Sequence, residues 1–130
     1  MCARSSEESA SPLPASDFTL EKSWPGLVCG IDEVGRAPLA GPVTAACALI
    51  PDDQYDHPIW RDVTDSKAIA RGKRTRLCHD IKFLVCYGIG WASEREIEEM
   101  NIHHASLLAM QRSYNDMVTR FPVSPNLALI

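Results

Sequence analysis

Thirteen residues constrain this chain more than any other feature: Gly30-Ile31-Asp32-Glu33-Val34-Gly35-Arg36-Ala37-Pro38-Leu39-Ala40-Gly41-Pro42. The apolar run Leu27 to Ile31 reads as a buried strand, and the adjacent carboxylates Asp32 and Glu33 close it. Gly35, Pro38, Gly41 and Pro42 then interrupt any regular ladder. Successive strand residues point to opposite faces, so two neighbouring carboxylates converge on one ion only at a strand end or a bulge. Gly35 and Pro38 supply such an end. Oxygen pairs of this kind hold Mg²⁺ or Mn²⁺, and open backbone N–H groups beside Arg36 suit a phosphate or a sugar. The segment points to metal-dependent chemistry on a phosphodiester. The alternative is a pair of solvated turn carboxylates, because Asp is common where strands stop.

The rest of the chain supplies a setting for that segment. Residues 1–23 are rich in Ser, Glu, Ala and Pro and read as a disordered N-terminal tail, which leaves 24–130 as one folded unit. Val43 to Ile50 is a second strand, ended by Pro51-Asp52-Asp53, and a polar loop runs on to about Thr64. Ser66 to Lys82 reads as a helix, with Ile69, Leu77 and Ile81 in its apolar stripe and Gly72 weakening its first turns. Phe83 to Trp91 is a third strand. Ser93-Glu94-Arg95-Glu96 is a capping box that opens a short helix to Met100, and Asn101 caps a longer one whose Leu107, Met110, Tyr114 and Met117 recur at helical spacing. Pro122 and Pro125 stop it. Asn126 to Ile130 begins a further apolar run, so the sequence is expected to be truncated, with the C-terminal part of the domain missing.

With 45% apolar residues in 130, the unit can bury a core. A net charge of −4 excludes a nonspecific polycation but leaves room for a local basic face. That face is the predicted helix: Lys67, Arg71, Lys73, Arg74, Arg76 and Lys82 stand against Asp80 alone, as a phosphate track or as an ordinary solvated face. Ser66 at its start would cap it and present N–H groups to an anion. The five cysteines are odd in number and contain no CxxC pair, which implies free thiols in a reducing compartment and a cytoplasmic location. No apolar run is long enough to span a membrane. His57, His79, His103 and His104 lack metal-site spacing, and no cysteine has a local histidine partner, so these groups read as structural.

The Gly30–Pro42 segment closely resembles the N-terminal signature of ribonuclease HII. The resemblance continues through Asp65-Ser66-Lys67, Asn101-Ile102, Ala105 and Ala109-Met110-Gln111-Arg112, in the family's order and at family-like spacing. It implies an α/β, ribonuclease-H-like mixed sheet, antiparallel in its first three strands, with flanking helices. It also implies an endonuclease that hydrolyses the RNA strand of RNA–DNA hybrids, including ribonucleotides embedded in DNA, by two-metal-ion catalysis with Mg²⁺ or Mn²⁺. Asp32 and Glu33 match two of the family's four metal-binding catalytic carboxylates, and Gly35, Arg36, Ala37, Ser66 and Lys67 match its nucleic-acid contacts. The family's third and fourth acids and its stacking tyrosine have no counterpart in these 130 residues, so turnover by this chain is expected to be nearly absent.

Ala37 stands where the family has glycine, and the extra methyl is expected to weaken recognition of the RNA–DNA junction. The alternatives are a catalytically incomplete hybrid-binding fragment and a nonfunctional remnant that exposes a sheet edge. The partners implied are an RNA–DNA hybrid or ribonucleotide-containing DNA, with the protein a monomer and no membrane involved.

Overall fold

The computed structural model describes residues 18–35, 41–63 and 68–130. Its elements are α1 (Thr19–Ser23), β1 (Val28–Val34), β2 (Val43–Leu49), α2 (Arg71–Ile81), β3 (Cys86–Ala92), α3 (Glu94–Arg120) and β4 (Leu127–Leu129). The strands form one sheet in the order β3-β2-β1-β4. β1 runs antiparallel to β2 and β2 antiparallel to β3, whereas β4 lies parallel to β1 with Val28 opposite Leu127. The expected α/β mixed sheet with an antiparallel start and flanking helices is the fold observed.

Alternation along the strands sorts the core. Cys29 and Ile31 of β1, with Val43, Ala45, Cys47 and Leu49 of β2, are buried on the face that meets Ala105, Ala109, Met110 and Met117 of α3. β3 meets the helix through Gly88 and Gly90. A Cβ at Gly88 would strike the Ser113 carbonyl and the Met117 backbone, and one at Gly90 would strike Ser113 N and Ala109 O. The helix therefore lies directly on the strand, with small residues at the contact. Leu107, placed in the expected stripe, is instead 47% exposed, because the buried stripe of α3 runs through Ala105, Ser106, Ala109, Met110, Ser113 and Met117 and leaves Leu107 to one side.

The other sheet face is covered at one end by a second cluster. Phe18, Trp60, Val63 and Val85 pack there with Ala48, Ile50 and Tyr87 around them. Phe18 stacks edge-on to Trp60 at 5.7 Å, and the indole N–H of Trp60 donates to Gln54 O at 2.6 Å. Phe18 and α1 fall within the stretch expected as a tail. They are anchored because an aromatic side chain is available to the cluster; residues 1–17 lie outside the described residues.

Element boundaries moved where partners, not propensity, decide them. β1 extends to Val34 because Asp32, Glu33 and Val34 find Ala46, Ala45 and Thr44 across the ladder. β3 starts at Cys86 because Phe83, Leu84 and Val85 donate back to Asp80 and Ile81 and finish the helical turn. α2 begins at Arg71, behind an Ala70 whose side chain cannot cap it.

The capping box at Ser93 is formed on both sides, with Glu96 N donating to Ser93 Oγ at 3.1 Å and Ser93 N to Glu96 Oε1 at 3.0 Å. At Asn101 the helix breaks (φ 69°, ψ 167°), and His104 N donates to Asn101 Oδ1 at 3.1 Å. The expected short helix and newly capped long helix are thus the two halves of α3, since Asn tolerates positive φ and can cap the turn that follows.

Candidate active site

Asp32 and Glu33 sit at the C-terminal end of β1, just before it stops at Val34. No bulge gathers them. The ladder pairs Asp32 with Ala46 and Glu33 with Ala45, so the two side chains leave the strand toward opposite faces. Asp32 is exposed and Glu33 half-buried. The Asp32 carboxylate turns along the strand, where Oδ1 accepts the Glu33 backbone N–H at 2.8 Å. This holds one oxygen of an exposed side chain against the backbone. The pair thus lies within the ladder near the end of β1, not beyond it, and the backbone does not supply the convergence expected there.

Gly35 follows with φ +95°, a region that side-chain-bearing residues avoid. A Cβ there would also lie 2.7 Å from Pro42 O. Glycine is therefore required twice over, by the turn and by the return of the chain into β2. Gly41, at φ +97°, makes the second turn. Arg36, Ala37, Ser66 and Lys67 lie outside the described residues.

Of the basic helix, Arg71, Lys73, Arg74 and Arg76 on α2 are all exposed, as is Lys82 just beyond it. Lys73 already meets Asp62 at 3.5 Å. Among the described residues, no group of three or more His, Cys, Asp or Glu side chains could hold a metal ion. Asp32 and Glu33 are carboxylates, and oxygen ligands of that kind suit a hard divalent cation. No helix among the described residues is long and apolar enough to cross a membrane.

Sequence reading missed one polar array. Arg112 forms a two-bond pair with Glu96 at 2.8 and 2.7 Å and also donates to Trp91 O at 2.9 Å. The Arg112 guanidinium, with help from Ser93 N–H, holds the Glu96 carboxyl down at about 2. Further along α3, Asp116 accepts Ile89 N–H at 2.9 Å, and Arg120 donates to Tyr87 O and to Asp116, both at 3.0 Å. The available signal was the four-residue spacing of Arg112, Asp116 and Arg120, opposite the glycines of β3.

The mixed sheet in this order, with its flanking helices, is a ribonuclease-H-like α/β fold. Within that class the chain belongs to the ribonuclease HII family: a family profile described as Ribonuclease HII matches residues 29–121. The chain is 45% identical over 105 residues to the ribonuclease HII of Nitrosospira multiformis, across 79% of this chain and 48% of that protein. It is 43% identical over 116 residues to that of Granulibacter bethesdensis, across 88% of this chain and 51% of that one. With the ribonuclease HII of Macrococcus caseolyticus it shares 46% identity over 104 residues, 80% of this chain and 36% of the relative. The chain thus spans about half the length, or less, of these relatives.

Proposed function

We propose that this chain carries the first half of the metal site and part of the nucleic-acid surface of an endonuclease that cuts the RNA strand of RNA–DNA hybrids and ribonucleotides embedded in DNA. The observation that supports it is the placement of Asp32 and Glu33 at the end of β1, directly before the positive-φ turn at Gly35, within a sequence of the ribonuclease HII family. Asp32 and Glu33 would hold Mg²⁺ or Mn²⁺ together with substrate phosphate oxygens. The bound ions would supply an activated water and charge stabilisation for the leaving 3′-oxygen. Asp32 presents its carboxylate from a fixed bond to the Glu33 amide, and Glu33 approaches from the half-buried side. Gly35, Arg36, Ala37, Ser66 and Lys67 would contact the sugar–phosphate backbone, and α2 would add a diffuse positive field. The working form is a cytoplasmic monomer.

The test uses a fluorescent RNA–DNA hybrid and a DNA duplex with one embedded ribonucleotide, with and without Mg²⁺ or Mn²⁺. The expected result is divalent-ion-dependent binding of both, weakened at least ten-fold by Asp32→Asn, with turnover by these 130 residues near background. Hybrid affinity indifferent to the ion and to Asp32→Asn would overturn the assignment. Cleavage well above background would overturn the second half of the expectation and leave the first standing.

A further inference from the structure

β3 is the outermost strand of the sheet, so among the described residues one side of its backbone has no strand neighbour. Such an edge is a template for another strand, from a second copy or from an extended peptide. Here three of its polar groups, one each on Tyr87, Ile89 and Trp91, are bonded from α3. Trp91 O accepts from Arg112 at 2.9 Å, Ile89 N donates to Asp116 at 2.9 Å, and Tyr87 O accepts from Arg120 at 3.0 Å.

The match is geometric. Four residues of helix advance about 6 Å and two residues of strand about 6.8 Å, so residues 112, 116 and 120 step along α3 nearly in phase with 91, 89 and 87 on the antiparallel strand. Gly88 and Gly90 make this possible by letting the helix rest on the strand, so that side chains of its flank reach around the edge. The Arg120 guanidinium also lies 4.6 Å from the centre of the Tyr87 ring. Asp116 and Arg120 pair with each other, and Arg112 is tied to Glu96, so the row is itself held in place.

We propose that the Arg112–Asp116–Arg120 row closes the β3 edge against strand addition and so keeps this chain from pairing through β3 with a second copy of itself. Three consecutive outward-facing positions of β3 carry a bond to the helix, so an incoming strand must displace Asp116 from the Ile89 N–H and crowd past the guanidinium groups on Tyr87 O and Trp91 O. The charges also face any approaching strand with a desolvation cost that a neutral edge would not impose.

The experiment compares the wild-type chain with Asp116→Ala/Arg120→Ala by sedimentation velocity, and by backbone amide exchange at Tyr87, Ile89 and Trp91 at low and high protein concentration. Arg112 is left intact because it also secures Glu96. Wild-type exchange at these amides is expected to be independent of concentration. In the double variant the dimer dissociation constant is expected to fall about ten-fold or more, the scale of a freed hydrogen bond finding an intermolecular partner. Its three edge amides should slow as concentration rises. A folded double variant with wild-type sedimentation and concentration-independent exchange would overturn the proposal, as would wild-type chains that already protect these amides through association. If the double variant unfolds, Arg120→Ala, which removes one exposed side chain at the helix end, decides by the same two readouts. Unfolding of that variant as well would assign the row to holding α3 and overturn the proposal.

Discussion

Arg112 and Glu96 lie sixteen residues apart on the two halves of α3, and their guanidinium and carboxylate meet through two bonds of 2.8 and 2.7 Å across the break at Asn101. The same carboxylate accepts Ser93 N–H, and the same guanidinium reaches Trp91 O. One ion pair therefore joins the start of the helix, its far half and the sheet. Because Glu96 is held at about 2 in the fold against an ordinary 4.5, its contribution is complete above about pH 4.5 and is lost as pH falls toward about 2. The thermal midpoint of the wild type should drop through that window. Glu96→Gln should lower the midpoint at neutral pH and flatten its fall in acid. Parallel curves for the two proteins between pH 4.5 and 2 would show that the pair contributes nothing to the acid response.

Gly35 and Gly90 fail differently when a methyl is added. Gly35→Ala forces an L side chain to φ +95° and against Pro42 O, a strain of about 1–3 kcal/mol. Gly90→Ala drives a Cβ into the backbone of Ser113 and Ala109, where no side chain can turn aside. Overpacking of that kind costs about 1–3 kcal/mol and occasionally more, and here it should sit at the upper end. Urea denaturation measures both. A loss for Gly90→Ala smaller than that for Gly72→Ala, where a Cβ meets open space, would contradict the contact.

The elements that sequence reading located were those whose signals are local. The Ser93 capping box and the Asn101 cap depend on residues three positions apart and were found where the structure has them. The position of Asp32 and Glu33 near the end of β1 was legible because a Gly/Pro break follows them in the sequence. What stayed hidden depends on partners far away in sequence. β1 runs on to Val34 because β2 is beside it, Leu107 faces water because the sheet meets α3 along Ala105, Ala109, Ser113 and Met117, and Asp116 matters because Ile89 offers it an N–H.

Thiol chemistry offers a check on the core. Cys29 and Cys47 are buried on adjacent strands, and Cys47 Sγ lies 3.8 Å from Met117 Sδ. A hydrogen bond with the Cys29 thiol, and burial, push the Cys47 thiol up, away from the reactive thiolate. Cys78 is exposed on α2. In a Cys2→Ser background, a disulfide reagent should therefore modify Cys78 within the first phase, and Cys29 and Cys47 only when the chain unfolds. Rapid native modification of Cys47, read by peptide mass, would show that the sheet opens there.

The cations of α2 give the proposed nucleic-acid surface its sharpest test, because a solvated helix face and a phosphate track differ in what salt does to them. Arg71, Arg74 and Arg76 are exposed, whereas Lys73 already faces Asp62 at 3.5 Å and has less to give. Each phosphate neutralised releases counterions, so the logarithm of hybrid affinity should fall with the logarithm of salt concentration, by about 0.9 per neutralised phosphate on a B-form duplex. Replacing Arg71, Arg74 and Arg76 with alanine should weaken hybrid binding at low salt. The slope should become shallower by about one unit for each phosphate that these side chains had neutralised. Lys73→Ala should change it little. The weakening should be nearly the same for hybrids of different sequence, since bonds to phosphate carry no base information. If the triple variant keeps the wild-type slope, α2 is an ordinary solvated helix, and the affinity comes from elsewhere on the chain.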